Sequence, residues 1–192
     1  KYETKISHSE LEQKGKEIAQ EVVNRLRKMD ELKNVPITIA LFEQKTKSSI
    51  VPGNFFAFAE VGKGSSKING WEKVNEGYVL FPSNTAENDH REDMTWFQNF
   101  KQDVEEYFPN FNGVVGTGFY LDDQLQSLSI DIPIQFYGKS EAIGFTQYVT
   151  GLVMEHFPGY VAVEVNVSSV YGQEALIVKN PNKDEPFVHV YH

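Results

Sequence analysis

The chain has no cysteine, which removes disulfides, thiolate nucleophiles and Cys-type zinc centres together. That absence suits either a cytosolic protein or an exported one stable without cross-links, so it leaves the compartment open. Basic residues are scarce, with Lys and Arg numbering 18 against 27 Asp and Glu for a net charge of -9. The summed field repels phosphate backbones and anionic lipid headgroups, and nucleic acid is not an expected partner. No apolar run approaches the roughly 18 residues that a bilayer span needs. The start, "KYETKISHSE", has neither an initiator Met nor a signal-peptide core and reads as the beginning of a mature fragment.

What is present is a foldable chain. Its 192 residues are 40% apolar and 13% aromatic, enough to bury a core without metal or disulfide. We read one domain over 1–192. Ser7 with Glu10, or Ser9 with Glu12, offers a capping box ahead of Leu11, Ile18, Val22, Leu26 and Met29 at helical spacing, predicting a helix from about Glu10 to Leu32. A second helix follows from "NDHREDMTWFQNFKQDVEEYF", where Met94, Phe97, Val104 and Phe108 share a face and Pro109 ends it. A third runs through "SEAIGFTQYVTGLVMEHF", with Ser140 as its N-cap and Phe145, Val149, Leu152, Val153 and His156 inward. Alternation marks strands at "VPITIALFEQ", "NFFAFAEV", "GYVLFP", "NGVVGTGFYL", "SLSIDIPIQFY", "YVAVEVNVSS", "EALIVKN" and "PFVHVYH". In the aromatic run, alternation places Phe56 and Phe58 on one face and Phe55 on the other.

The second and third helical segments look like copies, giving candidate repeats 91–138 and 140–187. A shift of 49 places sets Trp96 on Phe145, Phe100 on Val149, Val104 on Val153, Phe108 on Phe157, Pro109 on Pro158 and Phe111 on Tyr160, and a shift of 48 sets Pro133 on Pro181. Units of this kind must pack on one another to bury their apolar faces. The expected fold is α+β: repeated helix-strand-strand units forming antiparallel sheet packed by three helices. The competing arrangement is one helix-wrapped sheet with a cystatin-like look.

The stretch Gly62–Gly77, "GKGSSKINGWEKVNEG", stands out by composition. Its glycines free the backbone, Ser65, Ser66 and Asn69 supply polar groups, Lys63 and Lys67 bring positive charge, and Trp71 offers a stacking surface. These six residues are the candidate ligand contacts. The spacing matches neither a phosphate loop nor a Rossmann fingerprint, so a ligand-contacting loop and a plain connection between strands both stand.

Other clusters have simpler readings. "NDHRED", with Asp89, His90, Glu92 and Asp93, lacks the alternating oxygen ligands of a calcium loop and reads as an acidic helix start. Asp122 and Asp123 read as a hairpin turn. Asp131 and Glu164 fall in strands; a carboxylate pair across a cleft would suit glycoside hydrolysis, but nothing in the sequence places any two of these four carboxylates on one cleft. His8, His90, His156, His189 and His192 have no HExxH spacing, and Ser168 and Ser169 no GxSxG setting. No metal, cofactor or catalytic residue is expected.

Taken together, "PGNFFAFAEVGKGSSKINGWEKVNEGYVLFPSN", "DMTWFQNFKQDVEEYFPNFNGVVG" and the helix-strand repeat resemble the sex-pheromone precursor lipoproteins of Gram-positive bacteria, the CamS family. The resemblance covers the whole chain, as the C-terminal part of a longer precursor. It implies a secreted protein held on the outer membrane leaflet by lipid on an upstream cysteine absent from this chain, with the pheromone peptide cut from the signal peptide. The expected function is then a non-enzymatic extracellular domain that binds a peptide or cell-wall component. The alternatives are a wall-active hydrolase using a carboxylate pair and a purely structural spacer.

Overall fold

The computed structural model describes residues 6–107, 113–135 and 138–191. Phe108, Pro109, Phe111 and His192, named above, lie outside them. Contacts divide the chain into two compact units, Lys1–Gly77 and Tyr78–His192, where the sequence reads as one domain. The division also partitions charge. Of the 18 basic residues 13 lie in the first unit beside 11 acidic ones, a formal +2; the second holds 5 against 16, a formal -11.

The first unit packs helix α1 (His8–Leu26) on a three-stranded sheet. Ser7 accepts from the Glu10 amide and caps α1, settling which serine starts it. The helix stops at Leu26, with a short 3-10 turn at Asp30–Leu32, instead of running on to Leu32. Arg27 caps the helix, and its guanidinium holds the chain that follows by donating to the carbonyls of Leu32 and Val35. Strands β1 (Ile37–Gln44) and β2 (Gly53–Val61) pair antiparallel. Ile39 lies opposite Ala59 and Leu41 opposite Ala57, and Gly15 of α1 seats against Leu41. A bulge puts Phe56 out of register, since Leu41 pairs Ala57 while Phe42 pairs Phe55. Phe56 and Ala57 are therefore both buried, and strict alternation of Phe56 with Phe58 fails at the extra residue.

The second unit carries a six-stranded sheet in the order β4-β5-β6-β7-β8-β9. Its strands are β4 (Glu76–Phe81), β5 (Val115–Leu121), β6 (Gln124–Pro133), β7 (Ala162–Ser169), β8 (Gly172–Lys179) and β9 (Phe187–Val190); the two-residue β3 (Glu72–Lys73) belongs to the first sheet. The expected second helix is broken at His90 into α2 (Asn84–Asp89) and α3 (Arg91–Tyr107), and the third is α4 (Lys139–His156). Its N-cap is Gly138, so Ser140 lies inside the helix. The sheet is mixed, not purely antiparallel: β6 and β7 run parallel, because α4 carries the chain back across the sheet between them, as a parallel connection requires.

Only one face of this sheet is buried. The rows Gly116–Ile130–Val165–Ile177 and Gly118–Leu128–Val163–Lys179 follow from the register and pack with Phe97, Phe100 and Val104 of α3 and Phe145, Val149 and Val153 of α4 in one core. The opposite face is open. Helix-strand-strand order thus occurs twice, as α3-β5-β6 and α4-β7-β8, and both hairpins carry a bulge two residues before a two-residue turn. The parallel β6/β7 join turns the second hairpin over. Buried Leu128 and Ile130 fall, 48 residues on, at half-exposed Leu176 and Val178, so the hairpins do not bury equivalent residues.

Candidate functional site

The Gly-rich stretch is built as a strap tied to α1. Arg27 donates from Nε to the Ser65 carbonyl at 2.6 Å and from Nη2 to the Gly62 carbonyl at 2.9 Å. Gln20 donates to the Ser66 carbonyl at 2.6 Å and accepts from the Ile68 amide at 3.1 Å. Ser65 accepts from the Lys67 amide at 3.2 Å, closing a local turn. Lys63, Ser66, Lys67 and Asn69 are exposed, while Ser65 and Trp71 are half-buried. The Lys16 ammonium of α1 lies 5.8 Å from the centroid of the Trp71 ring, within cation-π range, and Lys16 in turn pairs with Glu12 at 2.6 Å. The chain then enters β3 beside β2. Gln20 and Arg27 thus engage the Gly62, Ser65 and Ser66 carbonyls and the Ile68 amide, and the lysines and part of the Trp71 ring stay outward.

A second candidate surface is the open sheet face of the second unit. At one margin the rings of Tyr78 and Phe119 meet at 5.3 Å, and Leu80 of β4 and Val115 of β5 are exposed on the same face. At the other stand half-buried Leu176 and Val178 and exposed Phe187. Between them lies a polar centre on β6 and β7. The register aligns Thr117–Ser129–Glu164–Val178–Phe187 and Val115–Asp131–Asn166–Leu176–His189 as adjacent rows, which puts Asp131 and Glu164 on one face as diagonal neighbours. Asn166 donates to Glu164 at 3.1 Å, and Gln173 donates to Asn166 at 3.2 Å. Partial burial, and next the Glu164 charge, raise the Asp131 carboxyl above the usual aspartate range. Sequence placed both carboxylates in strands; only the parallel register brings them together.

The remaining groups have structural partners. Asp122 and Asp123 take φ 50° and 60° in the β5-β6 turn, where Asp is among the residues that tolerate left-handed backbone. Asp93 accepts from the Tyr120 hydroxyl at 2.6 Å, with the His90 ring 4.0 Å from that of Tyr120. Burial, then the bond to Asp93, drives the Tyr120 phenol strongly upward. His8 pairs with Glu43 at 2.9 Å and His156 with Asp103 at 2.6 Å. Ser169 bonds Glu174 and accepts from the Tyr171 amide. Among the described residues no three His, Asp or Glu converge as a metal site, and no helix is long and apolar enough to cross a membrane. A shallow recess of about 370 Å³, lined by Pro82, Glu87, Met94, Gln98, Lys101, Gln102 and Glu105, lies on the helical side, away from Asp131 and Glu164.

The comparisons agree on ancestry. The family model described as CamS sex pheromone cAM373 precursor matches residues 1–185. The chain belongs to the CamS family. It is similar to the C-terminal domain of the sex pheromone staph-cAM373 precursor from Staphylococcus aureus, at 33% identity and TM-score 0.88, covering 100% of this chain and 57% of that one. A sex pheromone precursor from Lactobacillus salivarius subsp. salivarius UCC118 matches at 31% identity and TM-score 0.87, covering 100% and 56%. This CamS chain therefore spans a little over half the length of those relatives. Among curated proteins none matches.

Proposed function

We propose that this CamS chain is a non-enzymatic, extracellular binding domain of a lipid-anchored pheromone-precursor lipoprotein, with the pheromone peptide in an upstream segment. Its ligand is a peptide or a cell-wall component, received on the open face of the six-stranded sheet. One observation carries the reading: an aromatic pair of exposed Tyr78 and half-buried Phe119, with further exposed apolar side chains, flanks an ordered polar centre on a face without a covering layer of its own unit. Ligand sites combine apolar surface with a few fixed polar groups in this way. The Gly-rich residues Lys63, Ser65, Ser66, Lys67, Asn69 and Trp71 form the competing surface.

Titration of soluble wall fragments and a peptide library, followed by fluorescence and amide shifts, separates the two. Loss of response in Phe119→Ala with retention in Trp71→Ala is expected. Loss confined to Trp71→Ala moves the site to the strap, and no response in the wild type overturns a binding role. The hydrolase reading rests on the register that makes Asp131 and Glu164 diagonal neighbours on one face, where burial and next the Glu164 charge raise the Asp131 carboxyl. It requires turnover of wall glycan by the wild type and none by Asp131→Asn.

A further inference from the structure

We infer that the open sheet face takes an extended peptide segment in which one Lys or Arg sits between two apolar residues, at positions i, i+2 and i+4. This rests on the binding reading above and specifies its ligand. At its centre the face places two carboxylates, Asp131 on β6 and Glu164 on β7; Glu76 of β4 and Glu174 of β8, which accepts from Ser169, stand towards the margins, and the strand positions of the face carry no Lys or Arg. Asp131 and Glu164 belong to a unit whose formal charge is -11. Charge complementarity therefore selects a cation and disfavours anionic polymers.

Spacing selects the pattern around it. Neighbouring strands lie about 4.8 Å apart, so β5 and β8 are separated by roughly 14 Å, with the carboxylates on the two strands between. An extended chain rises about 3.4 Å per residue, which puts i+2 roughly 7 Å and i+4 roughly 14 Å along, all on one side. A peptide crossing the strands would set its first apolar side chain on Val115 and the Thr117 methyl, its cation over Asp131 and Glu164, and its second apolar side chain on Leu176 and Val178. The site is partly organised in advance, since Gln173 and Asn166 hold Glu164 in place. Burial, and next repulsion from the Glu164 charge, raise the Asp131 carboxyl. A cation between them relieves that repulsion, whereas a neutral glycan would gain from the aromatic margin alone.

The probes are the blocked pentapeptide Leu-Ser-Lys-Ser-Leu, its Glu-centred counterpart and the reordered Lys-Ser-Leu-Ser-Leu, titrated against the full chain with amide shifts as readout. We expect the Lys-centred peptide to shift Thr117, Ser129, Asn166 and Val178, and to bind about tenfold more tightly than either control. Asp131→Asn with Glu164→Gln should remove that preference. Both changes are near-isosteric and solvent-facing, and unchanged shifts along Ile130, Val165 and Ile177 verify the fold. Equal binding of the Lys-centred and Glu-centred peptides, or shifts confined to Trp71 and its strap, overturns the inference. If wall fragments perturb Phe119 while the Lys-centred peptide does not, the inference fails and the binding reading survives. If nothing perturbs the face, both fail.

Discussion

In the unit Lys1–Gly77, the glycines Gly62, Gly70 and Gly77 have open space where a Cβ would stand, and of the four in that stretch only Gly64 adopts a left-handed φ, +70°. In the unit Tyr78–His192, by contrast, Gly116 and Gly118 sit in an ordinary strand. A Cβ there would lie 2.8 Å from the Phe97 ring and 2.9 Å from the Phe81 ring, respectively. The conspicuous glycines are thus mostly replaceable and the inconspicuous ones are required by close packing. Glycine density in sequence reports conformational freedom, but contact with a neighbour decides whether that freedom is used.

The units also share a device with different consequences. Each uses one long cation to collect backbone carbonyls from irregular chain: Arg27 gathers those of Leu32, Val35, Gly62 and Ser65, and Lys179 those of Pro158 and Val161, at 2.6 and 2.9 Å. Carbonyls around Arg27 can turn to water if released, whereas Lys179 is 2% exposed. Lys179→Ala should therefore have the largest effect predicted here, about 2–4 kcal/mol of lost stability, as buried acceptors lose a charged donor. A urea midpoint unchanged from wild type would break the contrast. Burial pushes the Lys179 amine below the usual lysine range. Between the two values the unfolded chain holds the proton that the native chain has released, so stability gains with rising pH in the window just below the ordinary lysine value. Lys179→Met removes that rise, which melting curves across alkaline pH would reveal.

Next in size is the glycine contrast itself. Gly116→Val should lower stability by about 1–3 kcal/mol through overpacking against Phe97 and Leu128, while Gly70→Ala should stay within about 0.5 kcal/mol of wild type. Denaturant unfolding of both variants sharpens the comparison, and similar losses in the two would defeat it.

Much of this architecture is legible in the sequence, in a particular way. Helical spacing identifies the inward faces of α3 and α4, with Met94, Phe97 and Val104, and Phe145, Val149 and Val153, all buried. Alternation identifies strands and which residues share a face. It does not identify neighbours, and so misses the parallel β6/β7 pair and the meeting of Asp131 with Glu164. Bulges defeat it locally at Phe56. The candidate site divides likewise: composition marks the Gly-rich stretch, but its tie to α1 depends on Arg27 and Gln20, 35 or more residues away in the chain. For the open face, the polar residues interrupting the strands, Ser129, Asp131, Glu164 and Asn166, were the available signal.

The smallest effect tests the acidic centre of that face. The Asp131 carboxyl holds its proton more tightly in the native chain than in the unfolded one, through burial and then the Glu164 charge. As pH rises through the ordinary aspartate value, the unfolded chain ionises first, so the native state loses stability relative to it until its own carboxyl ionises. Asp131→Asn does not titrate and should be more stable than wild type at neutral pH, by under about 0.5 kcal/mol because the group is exposed. The advantage should vanish below the ordinary aspartate value. Paired urea curves at neutral and acid pH measure the sign, and a variant less stable than wild type at neutral pH would mean that the carboxylate already has a favourable partner. Addition of the Lys-centred peptide should reverse the neutral-pH order, because only the wild type has both carboxylates to receive its ammonium.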